Sequence, residues 1–228
     1  MIGTSSTALM AVSASTTEQW LVVVSELSFL GLLGVAFFFA VIQPSGSYPS
    51  PFGDQVQIER FFSESRPQVQ ALGAVQALVA LSFLVFAASS TGVLQADAGQ
   101  DASYFWVALA GGVVAGAFIL LAAILVWALS RPAIADSLPL VRALHDLAYL
   151  AGGPAHVLAV AVFLGASSLA VFTTDVLSEW VAWLGLGGAA VSAATVLAMV
   201  WYPAAWILPI TRMLLAAWVL SICYQVAT

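Results

Sequence analysis

Six stretches of this chain are long, continuous and apolar, and each is about the length a helix needs to cross a hydrocarbon core, ~20 residues. They fall near 20–42, 69–90, 104–129, 145–172, 180–200 and 203–226. Inside lipid no water satisfies backbone N–H and C=O groups, so only helices and closed barrels span it. Barrel strands alternate apolar and polar residues, and these runs do not alternate. The expected fold class is therefore all-α: a polytopic transmembrane helical bundle of six spans. Composition agrees. With 62% of residues hydrophobic and 7% charged, the chain carries more apolar surface than a soluble domain of its length could hide. The lipid bilayer is thus the first partner implied. The net charge of −6 comes from few residues scattered over the connections, which suggests no nucleic-acid partner.

Residues 1–19 are rich in Ser, Thr and Ala and have no basic residue to begin a secretory signal. They read as a flexible tail before a single transmembrane domain, 20–228, with Trp20 as an interfacial anchor. The longest polar connection, 43–68, begins with turn material rich in Pro and Gly. Asp54 then opens a short helix, with Gln57 at the capping-box position. Ile58, Phe61 and Phe62 share one face, so the spacing predicts an interfacial helix ending by Pro67. Acidic loops are expected around Asp97 and Asp101 and around Asp175 and Glu179. Gly112 and Gly116 form a GxxxG pair, expected to pack tightly inside one subunit rather than to drive dimerisation. Arg142 and Asp146, four apart, are placed to pair on a helix surface. Gly152, Gly153 and Pro154 interrupt the fourth span and predict a kink.

Six spans put both termini on one side. Arg60, Arg66, Arg131 and Arg142 lie in or beside the opposite connections, and basic residues mark the cytoplasmic side. Charge bias thus predicts both termini outside. The absence of Lys and Asn, both encoded by AA-rich codons, fits a GC-rich genome, and the expected location is a bacterial plasma membrane.

Few side chains offer chemistry. Arg212 lies near the middle of the last apolar run, and a charge there costs from about 2.5 to over 10 kcal/mol, so it must face protein, a partner charge or a wet cavity. Glu26 is the one acid inside another run, and His156 lies just past the predicted kink at similar depth. Glu26 enters from the opposite side to Arg212, yet long side chains could close the gap. The expected site is a buried polar cluster of Glu26, His156 and Arg212, suited to proton coupling or anion recognition. The plainer expectation is a structural ion pair and a hydrogen-bonded His that set helix order.

Other chemistries find less support. His145 and His156 lie about 16 Å apart along one helix, too far to ligate the same haem iron, so a haem would need Met or a second subunit. A retinal Schiff base of the microbial rhodopsin type needs a Lys, which is absent. No HExxH motif, Cys pair or acidic cluster suggests a metal, and no cofactor or catalytic constellation is expected. Cys223 reads as a small apolar residue.

From about residue 136 onward the chain resembles uncharacterised actinobacterial multi-pass proteins of the DUF4386-like group. The likeness rests on His145-Asp146-Leu147, on Gly152-Gly153-Pro154 and on Trp180-Val181-Ala182-Trp183-Leu184. Where that group is expected to place Pro-Arg before the first Trp, this chain has Ser178-Glu179. The resemblance implies a multi-pass architecture with a cytoplasmic N-terminus, opposite to the charge bias, and no chemistry. The functional expectation is a non-enzymatic accessory or assembly subunit, acting with other membrane subunits or as a homo-oligomer. The alternative is a small transporter or channel whose path runs past Glu26, His156 and Arg212.

Overall fold

The computed structural model describes residues 4–41, 48–98, 103–173 and 177–227, and all regular structure among them is helical. Six helices are long and apolar enough to cross a membrane: Trp20–Ala40, Arg66–Gln95, Ser103–Leu129, Leu138–Val171, Glu179–Met199 and Pro203–Gln225. This is the all-α, six-span bundle expected from the apolar runs. The first span belongs to α1 (Thr4–Val41), so helix begins within the segment expected as a tail. Asp101 and Asp175, on which acidic loops were expected, lie outside the described residues.

The connection after α1 carries α2 (Gln55–Glu64). The Asp54 carboxylate accepts a hydrogen bond from the Gln57 backbone N–H at 3.3 Å, satisfying a donor that the first turn leaves free. Ile58, Phe61 and Phe62 are all buried, as their spacing predicts. Their burial is against protein: Phe62 meets the His145 ring at 5.3 Å, and Tyr48 packs on Phe61, Phe62 and His145. The short helix therefore seals the end of the bundle, with Val56 and Arg60 on its outer face.

The second and third spans are α3 (Arg66–Ala98) and α4 (Ser103–Leu129). A short turn of helix, α5 (Pro132–Ala135), leads into the fourth. That span is composite: α6 (Leu138–Leu150), a wide π turn at Ala151–Ala155, and α7 (His156–Val171). Pro154 has no N–H to give, and Gly153 takes φ −100° and ψ −106°, outside helical values. The predicted kink thus takes the form of a π bulge. The fifth span, α8 (Glu179–Ala193), tightens into a 3-10 turn at Ala194–Met199. A second 3-10 turn, Tyr202–Trp206, opens α9 (Ile207–Ala227).

Each span packs on the next, in the order α1, α3, α4, α7, α8, α9, and α9 closes on α1 through the sparsest of these contacts. The fourth span is central: 67% of its most apolar window is buried, against 28–39% for the others, whose outer faces meet lipid. Small residues permit the close approaches. A Cβ on Gly111 would stand 2.6 Å from the Phe163 backbone nitrogen, so only Gly lets α4 lie this close to α7. A Cβ on Gly112 would meet that of Ala87, and one on Gly116 would meet the Leu84 side chain. The GxxxG pair therefore packs within the subunit, against α3. Phe83, Phe86, Phe163 and Trp218 fill the centre, all fully buried, with ring centroids 5.6–6.4 Å apart. At the polar end, Arg66 pairs with Asp136, and Arg142 with Asp146 at 3.1 Å as their spacing predicts.

Candidate functional site

The π bulge shapes the site. Its distorted turn presents the Gly152 carbonyl, and Nη2 of Arg212 donates a hydrogen bond to it at 3.0 Å. Arg212 thus spans from α9 to the middle of the fourth span. Its guanidinium is deep among protein atoms yet remains accessible, because it borders a cavity. His156, the first residue after the bulge, is buried, and its Nδ1 lies 3.0 Å from the Ala115 carbonyl. A carbonyl only accepts, so Nδ1 carries the proton and Nε2 of the neutral ring is an acceptor.

Both residues line a cavity of about 440 Å³ between α1 and α9. Its walls are apolar, from Phe29, Leu30, Leu33 and Phe37 of α1 to Met213 and Leu215 of α9. Its floor is formed by Leu72, Gln76 and Val79 of α3, with Ile119, Gly152 and His156 behind them. Gly34, Phe37 and Met213 are exposed at its rim, so the cavity is a cleft that opens sideways toward lipid. On the terminal side of the cleft the bundle is filled by the aromatic core of Phe83, Phe86, Phe163 and Trp218. The Phe83 ring lies 5.9 Å from that of His156 and marks the boundary.

Of the three residues expected to cluster, the structure brings two together. Glu26 is fully buried but does not line the cleft. The thiol of Cys223 lies against it, and neither Glu26 oxygen reaches hydrogen-bond geometry with any partner among the described residues. Cys223 lies on α9, eleven residues past Arg212, or about 16 Å along the axis. Long side chains do not close that gap, and no ion pair among the described residues joins Glu26 to Arg212. His145 lies apart from both, at the bundle end beneath Tyr48 and Phe62.

Sequence reasoning missed Gln76, the Gly152 carbonyl and the Glu26–Cys223 contact. Gln76 left a signal, being an amide within an apolar run, and its Oε1 is buried without a hydrogen-bond partner among the described residues. The Gly152 carbonyl left none beyond the Gly-Gly-Pro sequence, because which backbone group a kink frees depends on how it is absorbed. Among the described residues no group of three or more His, Cys, Asp and Glu could hold a metal ion.

The fold and the cleft together define an integral, multi-pass helical membrane protein with an apolar cleft between α1 and α9. Compared with protein-family models, curated proteins and solved structures, the chain matches none of them. The resemblance to the DUF4386-like group therefore rests on the quoted residues alone.

Proposed function

We propose that the protein is a non-enzymatic accessory protein of a bacterial plasma membrane, with both termini outside, that takes a lipophilic molecule from the bilayer into the cleft between α1 and α9. The observation that carries this reading is the cleft itself, where the closure of the helix ring is sparsest and the walls are apolar. Its volume falls within the range of small-molecule sites, about 300–1000 Å³. The polar floor also supports a second reading, a transporter whose path passes His156 and Arg212. That path would have to displace four fully buried aromatic side chains, Phe83, Phe86, Phe163 and Trp218, which favours binding over passage.

The test is a native mass of the protein extracted gently from its own membrane, beside a Gly34→Trp variant. A Cβ at Gly34 meets nothing within 4 Å, so a side chain can leave α1 at the rim of the cleft. Lipid-sized added mass on the native protein, absent from a variant that unfolds at the same temperature, supports the reading. The same added mass on both proteins, or none on either, overturns it. Uptake into vesicles that is lost in the variant would favour the transporter instead.

A further inference from the structure

Charge, proton inventory and volume together narrow what the cleft holds. We infer that its occupant is a single-chain fatty carboxylate, with the carboxyl group on Arg212 and Gln76 and the chain along α1; this rests on the cleft being the working surface.

Among the described residues, Arg212 is the only one lining the cleft with a formal charge. A guanidinium offers five N–H donors and stays protonated. One donor goes to Gly152, and no ion pair among the described residues neutralises the charge. An uncompensated cation among apolar walls is costly, so the cleft lacks one negative charge. A monoanion supplies it, whereas a phosphate monoester would bring a second charge that nothing in the cleft answers. A carboxylate also matches the planar donor fork of the guanidinium through both oxygens.

Part of the floor fits the same headgroup. Gln76 also lines the cleft; its amide oxygen has no partner among the described residues, and its NH₂ is a donor that a carboxylate oxygen can accept from. With Nδ1 committed to Ala115, Nε2 of the neutral His156 ring is an acceptor and gives a carboxylate no hydrogen bond, so the headgroup rests on Arg212 and Gln76. As for the tail, water occupies about 30 Å³ per molecule in the liquid. A cavity of about 440 Å³ then holds on the order of 15 groups of water or methylene size, one chain rather than two.

The test uses the full-length protein in nanodiscs of zwitterionic phosphatidylcholine. Displacement of the fluorescent fatty acid cis-parinarate is measured for oleate, oleyl alcohol and oleyl phosphate. Oleate is expected to compete at least tenfold better than oleyl alcohol, with oleyl phosphate weaker than oleate. In Arg212→Gln the preference for oleate over the alcohol should collapse. Equal competition by oleate and oleyl alcohol in the native protein overturns the carboxylate assignment and leaves a lipophilic cleft standing. Tighter binding of oleyl phosphate overturns the single-charge argument in the same way. Parinarate that binds neither the native protein nor any variant overturns the cleft reading as well. The native comparison needs no substitution, so the inference remains testable even if Arg212→Gln does not fold.

Discussion

The separation of Glu26 from Arg212 is open to direct energetic measurement. The perturbation is a double-mutant cycle of Glu26→Gln and Arg212→Gln, read as reversible unfolding in mixed micelles by helical circular dichroism. Cys223 places Glu26 about 16 Å along α9 from Arg212. At that separation and an effective dielectric of about 20, two unit charges interact by about 1 kcal/mol, against about 4 kcal/mol for a pair 4 Å apart. The expected coupling energy is therefore at most about 1 kcal/mol, close to the additivity of distant sites. Breaking a buried ion pair by removing one partner would instead cost about 3–5 kcal/mol. A companion cycle of Glu26→Gln with Cys223→Ala should couple by about 0.5 kcal/mol or more, because those side chains touch. Coupling of about 3 kcal/mol or more between Glu26 and Arg212 would refute the placement of Glu26 and restore the three-residue cluster.

Three further outcomes follow from local geometry. Gly111→Ala should destabilise the bundle by about 1–3 kcal/mol, because its Cβ meets the α7 backbone, which cannot move aside as a side chain can. Gly187→Ala, where a Cβ meets nothing within 4 Å, should be neutral or stabilise by up to ~1 kcal/mol in the same unfolding assay. Burial raises the Tyr48 phenol above its ordinary value. Its folded-state pKa exceeds the unfolded one, so its contribution is complete below about pH 10 and declines as pH rises above that value. Unfolding scans from pH 9 to 11 should show a loss of stability that is smaller in Tyr48→Phe.

Much of this architecture was legible in one dimension. The spans follow from apolar runs matched to bilayer thickness, and each expected interval overlaps an observed one. The Asp54 cap, the Ile58, Phe61 and Phe62 face, and the Arg142–Asp146 pair also follow from sequence, because they depend on helical spacing over at most a few residues. The helix of the fourth span begins at Leu138, ahead of its apolar run, with Pro139 in its first turn. The site was half legible. Counting residues from each turn gives depth, and depth alone brought His156 and Arg212 to the same level. Glu26 enters from the other side and sits beside Cys223, about 16 Å along α9 from Arg212, a gap that long side chains were expected to close and do not.

What the sequence determined alone is the class of protein and the cost of its exceptions. Continuous apolar runs demand helices in lipid, and a guanidinium inside one of them demands an answer from its surroundings. The identity of that answer was decided by tertiary structure. The π bulge at Ala151–Ala155 presents the Gly152 carbonyl to Arg212, close packing at Gly111 seats α7 against α4, and sparse closure between α1 and α9 leaves a cleft. The physical reason is that insertion into lipid depends on the residues of each helix in turn, whereas the rotation of a helix about its own axis is set by side chains that belong to its neighbours.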